Sequence, residues 1–299
     1  MNSLRYSLFV LIGACSYGIN GSMIKLTTAA GYSPAETIGS QYFTGLILLF
    51  TLLLFSRRVK MRFTQVLSLA GVGVLLSVTG VLYAVSIDQL TASFAVVMLF
   101  QFTWIGILIE ALYQRKMPSR IKLISVLLLW IGTLLAGGTG TGGIHIGEAW
   151  KGILAGLLSA ITFALFIFFS GKAGRGIPTI QRSTVITFGG LLTTFLFTSP
   201  AFIVDGTLEG GLWKYGLLVG LFGVIFPIVF FAIGTPHIDS GTATIVGAAE
   251  LPAAIIAAML IAGEHVTPLQ TAGILLIIIG IAVPQWKYTA RRPKKSYSG

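Results

Sequence analysis

Apolar residues run along this chain in ten long stretches, separated by short segments that collect charged residues, proline and glycine. Each stretch is close to the roughly 20 apolar residues with which a helix crosses a bilayer. The pattern therefore predicts an all-α integral membrane protein with ten transmembrane helices. We number them as spans 1 to 10: Tyr6–Leu26, Pro34–Phe55, Gln65–Ile87, Leu90–Leu112, Ile121–Ala136, Gly152–Gly171, Thr179–Val204, Leu212–Thr235, Gly241–Ala262 and Pro268–Trp286.

The composition excludes most soluble classes of protein. Hydrophobic residues make up 55% of the 299 positions and charged residues 10%, whereas soluble domains carry about 25% charged residues. A water-soluble enzyme or DNA-binding domain is therefore excluded, and nucleic acid is not an expected partner. The chain has one cysteine, Cys15, which alone cannot form an intramolecular disulfide or a thiolate metal site.

The first span also resembles a signal peptide, because Met1–Arg5 precedes an apolar run. The run continues through Ile24, beyond the about 7–15 residues of a signal-peptide core. We therefore interpret it as span 1, with cleavage as the less favoured alternative.

The basic residues predict how the chain is oriented. Lys and Arg accumulate in cytoplasmic loops, and a cytoplasmic N-terminus places 17 of the 20 basic residues on that side. Lys25, Lys151 and Lys214 are the exceptions. We expect a plasma or inner membrane protein with both termini cytoplasmic, whose net charge of +11 contacts lipid headgroups. The cytoplasmic set is Arg5, Arg57, Arg58, Lys60, Arg62, Arg115, Lys116, Arg120, Lys122, Lys172, Arg175, Arg182, Lys287, Arg291, Arg292, Lys294 and Lys295.

Prolines at similar positions indicate an internal repeat. Pro34 and Pro178 open spans 2 and 7, and Pro118 and Pro268 open spans 5 and 10. Each half holds five helices, so the second half must enter the membrane upside down, as in transporters with inverted repeats. We divide the chain into a first repeat (1–143), a second repeat (144–288) and a basic cytoplasmic tail (289–299). The glycine-rich stretch 137–143 is interpreted as an outer linker.

Two motifs extend this comparison to a family. Span 1 ends in Gly21-Ser22-Met23-Ile24-Lys25, and Gly263-Glu264-His265-Val266-Thr267-Pro268 stands before span 10. With two halves of five helices, the chain resembles the EamA-like members of the drug/metabolite transporter superfamily over about residues 5–288. It departs from the family pattern at Gln114, where Glu is usual, and at Tyr17, where Trp is common.

The resemblance implies export of small metabolites, typically amino acids or related compounds. It also implies a central cavity lined by spans 1–4 and 6–9, with spans 5 and 10 at the periphery. We expect alternating access as the mechanism, with proton coupling as an additional hypothesis.

Glu250 is the first candidate site residue. It stands near the middle of span 9, where an ionised carboxylate costs several kcal/mol, about 2.5 or more. Pro252 follows two residues later and lacks an N–H, so it predicts a helix distorted around a polar site. We interpret Glu250 as a substrate-binding and proton-coupling residue. A structural carboxyl bonded to a neighbouring helix is the alternative.

Further polar and aromatic candidates surround that depth. Gln101 on span 4 is interpreted equally as a substrate ligand or as an interhelical hydrogen bond. Lys25 either snorkels to the outer surface or neutralises a substrate carboxylate. Glu110, near the inner end of span 4, is interpreted as an interfacial charge. Pro227 predicts a distorted span 8. The remaining substrate-binding candidates are Asn20 and Gln41, together with a predicted aromatic wall of Tyr17, Tyr83 and Trp104.

Competing functions fit the residues less well. An intramembrane enzyme needs a nucleophile and base or a metal cluster, yet His145, His237 and His265 stand at loops. We therefore expect no catalytic residue, metal or cofactor. A channel would show charged rings or carbonyl filters, which the sequence lacks. A flippase or carrier for lipid-linked or nucleotide-sugar substrates is the main alternative, but Lys25 is the only basic residue expected near the cavity. That scarcity favours a neutral, zwitterionic or cationic substrate, carried by a monomer or homodimer.

Overall fold

The computed structural model describes residues 2–137 and 146–290, and in these ranges it is helical without strands. The predicted all-α fold is confirmed. The helices α1 to α13 are, in order, Asn2–Ala29, Pro34–Leu54, Phe63–Gln89, Ala92–Leu99, Phe102–Gln114, Arg120–Gly137, Ile146–Ser170, Thr179–Phe197, Trp213–Gly220, Phe226–Gly234, Ser240–Gly247, Glu250–Ala262 and Pro268–Ala290.

Three predicted spans are interrupted rather than continuous. Span 4 consists of α4 and α5, and span 9 consists of α11 and α12. In span 8, π-helical turns precede α9 and separate it from α10. The sequence predicted distortion at Pro227 and Pro252. It did not predict the break in span 4, because no proline stands there.

Span 7 is also shorter and more polar than predicted. Helix α8 ends at Phe197, and Pro200–Ile203 forms a separate 3₁₀ turn. Nine segments of the described residues are long and apolar enough to cross a membrane, and α8 is not among them. It packs against α2, α3 and α10 and buries many hydroxyl-bearing side chains. Because protein covers it, α8 serves as the tenth span despite its polarity.

Three pairs of positions relate the second half to the first. Thr91 and Asp239 cap the N-termini of α4 and α11, and each side chain accepts a backbone hydrogen bond. Arg115 and Gly263 follow α5 and α12, both in the left-handed conformation. In both pairs the separation is 148 residues, and it is also 148 between the first residues of α6 and α13.

This register corrects the alignment based on prolines. Pro118 lies two residues before α6 begins at Arg120, whereas Pro268 is the first residue of α13. Likewise, Pro34 is the first residue of α2, while Pro178 is the cap residue before α8. Helix ends therefore define the repeat more accurately than prolines do.

Helices α6 and α13 pack on each other at the edge of the bundle. A Cβ on Gly132 would overlap Ile277, and one on Gly280 would press on Leu128 and Leu129. Their other faces expose large apolar side chains, including Leu127 at 59% and Leu275 at 56%. The expectation that spans 5 and 10 are peripheral agrees with this arrangement.

Contacts between loops define two ends of the bundle. Gln181 exchanges two hydrogen bonds with the backbone of Val59, and Lys122 bonds Asp239. These contacts gather loops 55–62, 115–119, 171–178 and 235–239 on one side, which we call the basic side. On the opposite side, Lys25 bonds Glu264. Of the predicted linker 137–143 the structure describes Gly137 alone, and residues 291–299 of the predicted tail lie outside the described residues.

Candidate functional site

The candidate site is built where span 9 is broken. Helix α11 ends at Gly247 and α12 begins at Glu250, with Ala248 and Ala249 between them. Pro252 falls in the first turn of α12, where a backbone N–H has no intrahelical partner and proline is therefore tolerated. Consequently the proline does not kink a continuous helix; it lies in the first turn of a helix that restarts at Glu250.

Helix α1 approaches this break through Gly18. A Cβ at that position would overlap the backbone carbonyl of Glu250 and touch the backbone N of Ala254. Only glycine lets α1 come so close to the start of α12. This contact brings the α1 side chains on either side of Gly18 to the level of the carboxylate.

The Glu250 carboxylate is incompletely bonded. Its Oε2 atom is buried and has no hydrogen-bond partner. Tyr17 and Tyr83 lie within electrostatic range of the carboxylate, and Tyr42 lies within that range of Tyr17. Spans 1, 3 and 9 thus meet at one acidic group, with Tyr42 of span 2 next to Tyr17. Most buried polar atoms in folded proteins have a partner, so an unpartnered one requires an explanation such as a bound proton, water or ligand.

Tyr42 is a site residue that the sequence analysis missed. It is 5% exposed, and its ring lies against Gly190 of α8, where a Cβ would overlap it. Tyrosine occurs nine times in this chain, and nothing in its local pattern separates Tyr42 from the others. Its location near Tyr17 follows from the packing of α2 against α1 and α8.

An aromatic cluster stands beside the tyrosines. Tyr17 stacks on Phe163 at a centroid distance of 6.1 Å, and Phe163 meets Phe102 edge-on at 4.8 Å. Phe102 opens α5, the helix that corresponds to α12 in the repeat. Tyr17 thus joins the residues around Glu250 to a cluster of phenylalanines, while the aromatic wall stays a prediction.

Trp104 has a different position from the one predicted. Its Nε1 donates to the Gln101 side chain at 2.8 Å, and its side chain is 39% exposed. The Gln101 Oε1 atom also accepts from Trp130 on α6 at 3.1 Å, and its Nε2 donates to the Val97 carbonyl. The amide of Gln101 is occupied by these partners. Of its two interpretations, the interhelical hydrogen bond is the one that the geometry supports.

Asn20 of α1 and Gln41 of α2 form a second polar group. Asn20 Nδ2 donates to Gln41 Oε1 at 3.0 Å, while the Asn20 Oδ1 atom is buried and unpartnered. The Asn20 side chain packs against Gly223 in the π-helical turn Leu221–Ile225. Asn20 thus presents a free acceptor toward the distorted part of span 8.

Pro227 explains the distortion of span 8. In a π-helical turn the residue five positions later supplies the N–H, and Pro227 cannot supply one to Phe222. The Phe222 carbonyl is instead bonded by Ser16 Oγ at 2.9 Å. A side chain of α1 therefore satisfies the backbone group that the proline leaves free.

Lys25 has an acidic partner that the sequence did not indicate. Its Nζ donates to Glu264 Oε1 at 2.5 Å, and both side chains are more than half exposed. The pair joins α1 to the loop before α13 on the side opposite the basic one. The acidic partner comes from the motif before span 10, so the sequence contained both residues without indicating that they meet.

Glu110 is not an interfacial charge, which corrects that interpretation. It is 7% exposed and accepts from Lys122 at 2.7 Å and from the backbone N of Gly241 at 3.0 Å. Lys122 also donates to Asp239, the cap of α11. Burial acts to raise the pKa of Asp239, but the Lys122 ammonium and the Thr242 hydrogen bonds outweigh it and hold that pKa below its ordinary value. The cluster ties α5, α6 and α11 together on the basic side.

Arg182, one of the basic residues expected on the cytoplasmic side, is buried in the protein. It lies in the first turn of α8 and is 4% exposed. Its guanidinium donates to the carbonyls of Ser170 at 2.7 Å and Ala232 at 3.3 Å. Lys25 is therefore not the only basic residue that bears on a cavity.

The described cavities open on the basic side rather than around Glu250. One, of about 630 Å³, is lined by Arg5, Arg175, Arg182 and His237. The other, of about 300 Å³, is lined by Glu110, Lys122 and Asp239. Glu250 lines neither of them.

The fold and the site define a multi-pass membrane protein made of two similar halves, with an acidic group held in a broken helix between them. Comparison with known proteins identifies it further. The chain belongs to the EamA-like transporter family, whose model matches residues 4–138 and 150–283. Members of this family are transporters rather than enzymes, and the family indicates a drug/metabolite transporter.

A solved crystal structure supports the fold. It superposes with a TM-score of 0.73 at 18% sequence identity, covering 96% of this chain and 99% of its own. At that identity the likeness concerns the fold alone. A search of curated protein sequences finds no match.

Proposed function

We propose that this protein is a secondary active transporter that exports small metabolites by alternating access, coupled to protons through Glu250. The substrates are amino acid-like or other neutral, zwitterionic or cationic compounds. The observation that carries the proposal is the buried, unpartnered Oε2 of Glu250 at the break between α11 and α12. It is an acceptor at mid-membrane depth without a donor.

Such a carboxylate has two stable states. An unpaired negative charge inside a bilayer costs several kcal/mol, about 2.5 or more, so the group is stable either protonated or paired with a cation. A substrate ammonium group and a proton would then compete for the same oxygen. Competition for one site couples the two fluxes, because release of the substrate favours uptake of a proton and the reverse.

The polar groups of span 1 would orient the substrate. Tyr17 lies close to Glu250, and the free Oδ1 of Asn20 faces the π-helical turn of span 8. Tyr83 of span 3 and Gln41 of span 2 complete the proposed binding set, with Phe163 as an apolar surface. Lys25, Gln101 and Trp104 drop out of this set, because other side chains occupy their polar groups.

Two ion-pair clusters are suited to close the two ends in alternation. Lys25 and Glu264 join α1 to the loop before α13, while Glu110, Lys122 and Asp239 join α5, α6 and α11. If the inverted halves rock around Glu250, one cluster opens while the other stays closed.

The orientation follows from the sorted charges. We propose that the basic side faces the cytoplasm, that both termini lie there, and that the protein resides in the plasma or inner membrane. It would work as a monomer or homodimer with membrane lipids and a small-molecule substrate as partners. Nucleic acid, a cofactor and an enzymatic reaction form no part of the proposal.

A flippase or a carrier of lipid-linked or nucleotide-sugar substrates is the second candidate. Phosphate-bearing substrates need basic side chains, and the cavity lined by Arg5, Arg175 and Arg182 is the observation that favours this candidate.

Transport in proteoliposomes tests the proposal. Labelled amino acids, amines and nucleotide sugars are presented on the basic side, with and without a pH gradient. We expect uptake of at least one amino acid or amine, accelerated when protons can move in the opposite direction. Uptake restricted to nucleotide sugars, or a flat response to the whole panel, would overturn it in favour of the second candidate.

A further inference from the structure

The cavity of about 630 Å³ on the basic side combines positive charge with an absence of acidic lining. It lies between the start of α1, the loop 171–178 and the end of α10. Three arginines line it, Arg5, Arg175 and Arg182, while the lining residues include neither Asp nor Glu. Its volume falls in the range of small-molecule sites, about 300–1,000 Å³.

Among the residues that line this cavity, Arg182 has the strongest physical reason to bind an anion. It is 4% exposed, its two bonded partners are neutral carbonyls, and its Nε atom is buried without a hydrogen-bond partner. Arg175 is close enough to repel it. No described residue forms an ion pair with it, since the ion pairs found in residues 2–137 and 146–290 involve Lys25 and Lys122.

Burying a guanidinium without a counter-charge is costly. The two carbonyls fix its plane, so the remaining donors are already oriented before a ligand arrives. Thr179, the first residue of α8, lines the same cavity, and the N-terminus of a helix adds partial positive charge there. Each of these features favours a carboxylate or phosphate group beside Arg182.

The other walls suit an organic molecule rather than a bare ion. Phe9, Ile177 and Ile233 provide apolar surface. Tyr6 stacks flat on His237 with ring centroids 3.8 Å apart, which gives the cavity one rigid aromatic side. A ligand with an anionic group and a small apolar or polar body fits this combination.

We infer that this cavity binds the anionic group of the transported metabolite, a carboxylate or phosphate, on the cytoplasmic side before it moves to Glu250. This inference rests on the proposed function for the direction of transport and for the second site. It narrows the substrates to zwitterions, whose anionic group binds here and whose ammonium group binds at Glu250, with simple amines excluded. Arg182 and Arg175 are its anion-binding residues.

Binding to the purified full-length protein in detergent tests the inference without transport. Thermal unfolding is measured with sodium glutamate, sodium phosphate or choline chloride at constant ionic strength. A bound anion at about ten times its Kd raises Tm by about 3 °C. We expect glutamate or phosphate to produce this shift and choline to produce none.

Three variants connect the shift to the cavity. Arg175→Gln should lower the apparent affinity at least tenfold, while Arg57→Gln, an exposed arginine on the same side, should leave it unchanged. Arg182→Lys keeps the charge and loses the planar fork, so an intermediate affinity is expected. If Arg182→Lys does not fold, the comparison of Arg175→Gln with Arg57→Gln still tests the inference.

Several results would overturn the inference. One is a shift of equal size in wild type and Arg175→Gln, and another is no shift with either anion. A third is a shift produced by phosphatidylglycerol vesicles but not by glutamate or free phosphate, which would assign the site to a lipid headgroup. If anions bind but no substrate is transported, the anion-binding site is supported and the proposed function is overturned.

Discussion

Arg115 and Gly263 are 148 residues apart in the chain and end equivalent helices in the same left-handed conformation, with φ of 52° and 66°. Arg115 is the one residue other than glycine with positive φ in the described ranges. The second half uses glycine, for which this conformation carries no steric cost, and the first half uses arginine, for which it does. The inverted repeat therefore dictates the backbone at this turn more strongly than the local sequence does.

Replacing Arg115 by glycine tests that relationship. Arg115→Gly should stabilise the protein by about 0.5–1 kcal/mol, because the strained conformation becomes unstrained. Gly263→Ala should destabilise it by a similar amount. Thermal unfolding in detergent measures both, and a loss of stability in Arg115→Gly would show that the side chain matters more than the backbone.

Gly18 is expected to be intolerant of any side chain. Gly18→Ala should cost about 1–3 kcal/mol, because the added Cβ would overlap the Glu250 carbonyl and push α1 away from the start of α12. Gly21→Ala is the matched control, since nothing lies within 4 Å of a Cβ there. Thermal unfolding and transport should both suffer in the first variant and remain intact in the second. Equal behaviour of the two variants would refute the close approach.

The Lys25–Glu264 pair is expected to control access more than stability. Both side chains are exposed, so the pair contributes at most about 1 kcal/mol, which changes an opening equilibrium by about fivefold. We expect Glu264→Gln to raise by up to that factor the alkylation rate of a cysteine placed at Ser22, in a Cys15→Ala background. The exchange of charges in Lys25→Glu with Glu264→Lys should restore the original rate. A double variant that stays fast would contradict a closing role for the pair.

The cluster on the basic side should contribute more to stability. Lys122→Met leaves the buried Glu110 carboxylate without its cation and removes the ammonium that Asp239 bonds, which should cost about 3 kcal/mol. Lys116→Met, an exposed lysine in the preceding loop, is the control and should change little. Chemical unfolding measures the difference in the free energy of unfolding. A loss in Lys122→Met smaller than that in Lys116→Met would contradict the structural role of the cluster.

The same cluster predicts a pH dependence. The pKa of Asp239 is below its ordinary value of 3.8, so its contribution to stability is present above pH 3.8 and lost as the pH falls below that value. Lys122→Met removes the cation that lowers this pKa. In the variant the loss of stability on acidification should therefore be smaller than in wild type, as unfolding curves across acidic pH will show.

The sequence was sufficient for the fold because hydrophobic stretches of membrane length are strong local signals. It also made Glu250 the first candidate, since an acid in the middle of an apolar stretch is unusual wherever it packs. The break before Phe102 could not be foreseen, because no proline accompanies it and the break follows from contacts with other spans. The burial of Arg182 could not be foreseen for a similar reason: its charge resembled that of the neighbouring loop residues, and it is the packing of α8 that buries it.

The hydrogen-bond partners of Lys25 and Gln101 could not be predicted from the sequence either. Glu264 is 239 residues from Lys25, and Trp130 approaches Gln101 only when α6 is placed beside the break in span 4. Such pairings depend on tertiary arrangement, so residue type alone left their roles open between binding and structure.

Proton coupling through Glu250 is the central claim, and one measurement addresses it most directly. Proteoliposomes carrying Glu250→Gln are compared with wild type and with Glu209→Gln, an exposed acid near the start of span 8. Accumulation of a transported substrate driven by a pH gradient is measured beside exchange of labelled for unlabelled substrate without a gradient. We predict that Glu250→Gln loses the gradient-driven accumulation, while Glu209→Gln behaves as wild type. Accumulation by Glu250→Gln at the wild-type level would contradict the account.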